Sequence, residues 1–150
     1  MVVPARRIFD EVRELLEMQL KKSAIELRLE PATTGWVRVD TQQIKQVLIN
    51  LVQNSADSIG RDGVITLRLR SAAGDRVVLE VTDNGQGIPP EVQQRLFDPF
   101  FTTKEDGTGL GLPIAARIVE KHGGELRYET EPRRGTTFRV ILPQAPEHET

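Results

Sequence analysis

The chain has 150 residues, room for one domain, and 38% hydrophobic with 28% charged residues is a globular rather than a disordered composition. Lys plus Arg number 20 against 22 Asp plus Glu, so no basic field exists to hold nucleic acid by charge. With no cysteine, no signal-peptide core after Met1 and no apolar run of the ~18 residues that span a bilayer, the sequence reads as soluble and cytoplasmic without direct membrane contact, whatever anchors a parent protein.

Ile8, Val12, Leu15, Leu16 and Leu20 recur at helical spacing and predict a helix over 5–22. Ile25, Leu27 and Leu29 alternate with charged residues, the pattern of a strand with one buried face, and Trp36, Val37 and Val39 suggest a second short strand. Asp40 or Thr41 then supplies an oxygen to cap the next helix, over 41–59. Along that helix Ile44, Val47, Leu48, Leu51, Val52 and Ile59 form an apolar stripe, while Asn50, Asn54 and Asp57 share another face.

Val64–Arg70 and Val77–Thr82 read as strands joined by a turn at Gly74-Asp75. A glycine loop over 83–88 follows, and Pro89-Pro90 opens a short helix through Leu96. The stretch 98–111, rich in Gly, Thr and Asp, predicts a functional loop. Ile114, Ala115, Ile118 and Val119 mark a last helix, stopped at Gly123-Gly124, with His122 as a capping residue. Glu125–Thr130 and Thr136–Leu142 pair across a Pro132–Gly135 turn, and the polar tail, 143–150, is expected to fray. The sum is one domain over 1–142, a two-layer α/β (α+β) sandwich of about five strands in a mixed sheet and about three helices.

Chemistry concentrates in an ordered set of motifs. Asn50-Leu51-Val52-Gln53-Asn54 places carboxamide oxygens, hard neutral ligands suited to Mg²⁺, on one helix face. Asp83-Asn84-Gly85-Gln86-Gly87-Ile88 sets a carboxylate at a strand end, where it can accept from an exocyclic amino group. Gly85 and Gly87 permit a sharp turn there and a close approach of backbone to a ring. Phe97-Asp98-Pro99-Phe100-Phe101-Thr102-Thr103-Lys104 holds three of the five phenylalanines, with Lys104 a candidate phosphate partner. Gly107-Thr108-Gly109-Leu110-Gly111-Leu112 leads into a helix and offers backbone amides to an anion. It matches neither the dinucleotide fingerprint nor the P-loop.

In this order the motifs resemble the ATP-binding catalytic domain of sensor histidine kinases over about residues 5–142, with Gly135-Thr136-Thr137-Phe138 as the family's closing strand. The stretch from Thr102-Thr103-Lys104 to Gly109 looks most like nitrogen-regulation-type and related PAS-coupled kinases. The resemblance implies the Bergerat fold, with ATP and Mg²⁺ as cofactors. Asn54 would hold the metal, with Asn50 nearby, and Lys104 would join these two as the catalytic set. Asp83 would hold the adenine amino group, with Gly85, Gly87 and Ile88 shaping its pocket. Residues 98–109 would form a lid, and Thr108, Gly109, Leu110, Gly111 and Leu112 would face the phosphates. Thr137 would add a contact near the adenine. Asp57 departs from the lysine of many relatives, and Lys104 would replace that charge.

Hydrolases and serine kinases of this fold carry a glutamate one helical turn before the metal asparagine, as general base. Asn50 stands there and cannot take a proton, whereas a histidine acceptor brings its own lone pair. The implied activity is therefore transfer of the γ-phosphoryl of MgATP to histidine. Only His122 and His148 are present, neither in a phosphoacceptor context. The expected partners are a histidine-bearing dimerisation domain and a response-regulator receiver domain, with no nucleic acid. The alternatives are a nucleotide-binding regulatory module without turnover and a serine kinase of the anti-sigma type.

Overall fold

A computed structural model describes residues 1–31, 35–99 and 111–146. Its elements run β1 (Val2–Pro4), α1 (Ala5–Lys21), β2 (Ile25–Pro31), β3 (Trp36–Arg38), α2 (Thr41–Ile59), β4 (Gly63–Ala72), β5 (Arg76–Asp83), α3 (Pro90–Gln93), α4 (Gly111–Lys121), β6 (Glu125–Glu131) and β7 (Gly135–Pro143). Five strands form one sheet in the order β2-β4-β5-β7-β6, and β1 pairs with β3 in a separate ribbon. The β2–β4 pair is parallel and the other neighbours are antiparallel. The predicted mixed α/β sandwich is thus the fold, with the strand at Trp36 in the ribbon rather than the main sheet.

Strand alternation divides the residues between two faces. One inward row runs Leu29, Leu67, Val81, Phe138 and Tyr128 across the sheet. The next runs Leu27, Ile65, Asp83, Thr136 and Thr130, so the apolar face turns polar at the end of β5. The inward rows meet the apolar stripes of α1, α2 and α4 in a single core that includes Phe9, Leu48, Leu51, Leu79 and Val119. The Asp40 carboxylate caps α2 by accepting the Gln43 N–H at 3.2 Å. One position of the helical stripe is out of place: Leu15 lies on the exposed side of α1, while Phe9 fills the core.

The opposite face carries charge in register. Glu80 is only 3% exposed, and its carboxylate meets Arg139 at 2.6 Å, Arg70 at 3.1 Å and Arg68 at 3.9 Å. Glu30 extends the row by pairing with Arg68, and Glu129, from the neighbouring row, pairs with Arg139. The chain past Leu142 does not fray at once. The Gln144 N–H donates to Asp75 and the Ala145 N–H to Trp36, and Ala145 is buried. The first bond ties the segment to the β4–β5 turn and the second to the β1–β3 ribbon.

Candidate nucleotide site

A cleft of about 420 Å³ opens between α2, the glycine loop after β5 and the start of α4. Asn54, Ser55, Asp57 and Ser58 line it from α2, Asp83 and Thr136 from the sheet, and Gln86, Gly87 and Ile88 from the loop. Val92, Leu96, Leu112 and Phe138 supply apolar wall. The cleft thus combines apolar walls with a buried carboxylate, and carboxamide and carboxylate groups on the helical wall.

Asp83 owes its place to the last inward position of β5. It is 4% exposed, and burial pushes its carboxyl above the ordinary range, because a charge in a dry site loses its hydration. The Gly85 N–H holds it back in part. The Gly85 N–H donates to its Oδ1 at 2.9 Å, which leaves acceptor capacity on the carboxylate. An acceptor so placed is matched by an amino group, not by a second acceptor.

The glycines are required by packing before any ligand is considered. A Cβ on Gly85 would stand 2.5 Å from Ser58 Oγ on α2. Gly87, at φ +78°, would direct one to 2.5 Å from the Glu131 carbonyl of β6. The Arg133 N–H also donates to the Gln86 carbonyl at 2.7 Å, so the β6–β7 turn clasps the loop.

Asn54 and Asp83 line the same cleft. Asn50 lies one turn away and faces the start of α4: its Nδ2 is 3.4 Å from the Gly111 carbonyl and its Oδ1 accepts from Gln46 at 3.2 Å. Asp57, Gly87, Ile88 and Leu112 are in the lining, and Gly85 braces Asp83. Thr137 is a correction: strand parity turns it to the far face, where its hydroxyl pairs with Thr82 at 3.0 Å, and Thr136 lines the cleft instead. The sequence held the signal, since Phe138, Val140 and Leu142 set the inward parity that Thr136 shares. Lys104, Thr108, Gly109 and Leu110 lie outside the described residues, as do Phe100 and Phe101.

Among the described residues no three His, Asp or Glu side chains gather into a metal cluster. The donor set still suits a hard ion that shares its coordination with water and ligand oxygens, since Asn54 offers a carboxamide beside open cleft. His122 is committed elsewhere: its Nδ1 lies 2.8 Å from the Ile118 carbonyl and its Nε2 accepts the Asp40 N–H at 3.1 Å. These two contacts join the end of α4 to the cap of α2.

A three-helix layer over this mixed sheet, with the cleft at the polar end of β5, defines a protein class. Residues 39–146 match the histidine kinase-, DNA gyrase B- and HSP90-like ATPase family, and the chain belongs to it. Within that family its relatives include sensor histidine kinases. The sensor histidine kinase ZraS of Salmonella typhi is 40% identical over 127 residues, covering 85% of this chain and 26% of ZraS. The sensory histidine kinase/phosphatase NtrB of Vibrio alginolyticus is 36% identical over 148 residues, 91% of this chain and 42% of NtrB. ZraS is the more identical of the two, so the likeness extends across sensor kinases and does not single out the nitrogen-regulation type. The catalytic domain of the histidine kinase ThkA has the same fold, with a TM-score of 0.86 at 36% identity over 96% of this chain and 95% of that one. ThkA in complex with the response regulator protein TrrA matches at a TM-score of 0.82 and 33% identity, over 99% of this chain and 43% of that one. The chain has the architecture of a sensor-histidine-kinase catalytic domain, and it spans about a quarter of the length of ZraS, 26%.

Proposed function

We propose that this chain binds MgATP in the cleft and transfers its γ-phosphoryl group to a histidine on a separate dimerisation segment, from which a response-regulator receiver domain takes it. The observation that carries this reading is the joint presence of Asn54 and Asp83 in one cleft, with an amide, Asn50, one turn before Asn54. Asp83 accepts from the exocyclic amino group of adenine, and the walls of Ile88, Val92, Leu96, Leu112 and Phe138 take the ring out of water. Asn54 would hold Mg²⁺, which when bound would offset the charge of the phosphates. Gly111 and Leu112, at the start of α4, present amides to the phosphates.

The acceptor needs no general base from this chain. A neutral imidazole attacks with its own lone pair, so Asn50 in place of a carboxylate costs this reaction little while removing a base from hydrolysis and serine phosphorylation. Catalysis then rests on positioning and charge stabilisation, as phosphoryl transfer demands. The acceptor is sought outside this chain, since His122 is engaged by Ile118 and Asp40 and neither it nor His148 has a phosphoacceptor sequence context. ThkA, a relative at 33% identity, forms a complex with a response regulator protein, which supports the same partner class here.

The test is to mix the chain with the histidine-bearing helices of its parent kinase and γ-labelled ATP. Acid-labile label on the helices is expected, lost in Asn54→Ala. Saturable ATP binding without transfer would reduce the chain to a regulatory module, and no binding at all would overturn the reading.

A further inference from the structure

Helix α2 runs along the cleft, and its contacts fix what lies at each level. At one level Asn50 Nδ2 donates to the Gly111 carbonyl at 3.4 Å, which sets that turn against the start of α4. Further along, Ser58 Oγ stands 2.5 Å from where a Cβ on Gly85 would fall, so that turn meets the glycine loop beside Asp83. At roughly 1.5 Å of rise per residue the two levels are about 12 Å apart. Asn54 lies midway, and Asp57 stands about 4.5 Å past it toward the Asp83 end.

The lining holds two carboxylates in opposite surroundings. Asp83 is buried, whereas Asp57 is exposed and also borders the groove between α1 and α2, which puts it at the outer edge of the cleft. Ser55 and Ser58, its neighbours in the lining, keep their hydroxyl oxygens buried. A nucleotide with its base at Asp83 and its phosphates at Asn54 and the α4 amides carries its sugar between these levels, beside Asp57. A carboxylate has lone pairs and no proton to give. Toward a phosphate it is repulsive unless a cation intervenes. Toward a vicinal diol its two oxygens accept both hydroxyl protons, in charge-assisted bonds stronger than those between neutral groups. An acidic residue serves the ribose in this way in dinucleotide sites of an unrelated fold.

We propose that Asp57 is a specificity-determining residue for the sugar: its carboxylate accepts from the 2′- and 3′-hydroxyls of a ribonucleotide at the mouth of the cleft and so selects ribonucleotides over deoxyribonucleotides. This rests on the nucleotide reading of the cleft and adds the sugar to it. Water competes for an exposed acceptor, so the preference falls at the low end of the range for a hydrogen bond to a charged group, about tenfold.

Titration calorimetry in Mg²⁺ with ADP, 2′-deoxy-ADP and 3′-deoxy-ADP, which have no γ-phosphoryl group to transfer, tests this on wild type, Asp57→Asn and Asp57→Ala. The wild-type chain is expected to bind ADP about tenfold more tightly than either deoxy compound, and in Asp57→Ala the three affinities should converge to within about twofold. Asp57→Asn keeps a carbonyl acceptor without the charge and should fall between. Pairing the loss of a ligand hydroxyl with the loss of the carboxylate makes a double-mutant cycle, and the coupling isolates this contact from general charge effects. Because Asp57 is exposed, each variant should fold as wild type does, which its Tm without ligand checks. Wild-type affinities that ignore the sugar would overturn the proposal alone. Discrimination that persists in Asp57→Ala would do the same, an equal loss for all three ligands assigning the carboxylate to the metal instead. A wild-type chain with no saturable ADP binding would remove the nucleotide reading and this inference with it.

Discussion

Asp83 joins two demands that oppose each other. Buried at the sheet end, its carboxyl titrates above the ordinary range mainly because burial disfavours the charge. Since the folded form binds its proton more tightly than the unfolded chain, the contribution to stability is full below the unfolded value and disappears as pH rises through the folded one. At neutral pH the charged form therefore costs stability, and binding function compensates for it. Asp83→Asn keeps an acceptor for the Gly85 N–H but loses the charge. It is expected to bind ATP about 10- to 100-fold more weakly, the range for a hydrogen bond to a charged acceptor. It should also unfold at an equal or higher temperature than wild type at pH 8, an advantage that shrinks toward pH 5. In wild type, ATP affinity should fall on acidification before exposed carboxylates titrate. Calorimetry and thermal denaturation at both pH values check all three statements.

At the scale of elements, the sheet's two faces do different work. The inward rows hold the core and end in the polar row of Asp83, Thr136 and Thr130. The outward row places Glu80 among three arginines, which are themselves 24% to 49% exposed and so partly screened. Glu80→Gln leaves those guanidinium groups facing one another without their buried counter-charge. A loss of about 1–2 kcal/mol is expected, reduced from the fully buried case because the arginines reach solvent. Denaturant unfolding measures it. ATP affinity should remain unchanged, since the cleft lies on the opposite face, and a large loss of affinity would contradict that separation. Helix α4 is tied to α2 at both of its ends, by His122 on the Asp40 amide and by the Gly111 carbonyl to Asn50. The helix bearing Asn54 is thereby held to α4 at its cap and at its middle.

For the whole molecule, the cleft draws on α2, β5, β7, the glycine loop and α4, so a bound nucleotide links elements far apart in sequence. Ligand at 100 times its dissociation constant stabilises a fold by about 2.7 kcal/mol. For a domain of this size that is a rise in Tm of roughly 5–10 °C. MgATP should produce it in the wild-type chain and little of it in Asn54→Ala, as differential scanning fluorimetry would read. A flat response in wild type would contradict a single nucleotide site built from these elements.

The sequence by itself determined the elements and the identity of the motifs. Helix periods, strand alternation, the Asp40 cap and the Gly74-Asp75 turn are local, and each writes its pattern into neighbouring residues. The family resemblance rested on short motifs, which needed no knowledge of what faces what. Tertiary structure alone decided the matters of direction and neighbourhood. It turned Thr136 rather than Thr137 into the cleft, put the strand at Trp36 in a separate ribbon, and secured Gln144 and Ala145 on distant backbone. It also set Glu80 among Arg68, Arg70 and Arg139, and linked Ile88 through Thr130 to Thr136. The physical reason is that strand pairing joins residues dozens of positions apart. A hydrogen bond or buried charge made across strands leaves no periodic trace along the chain.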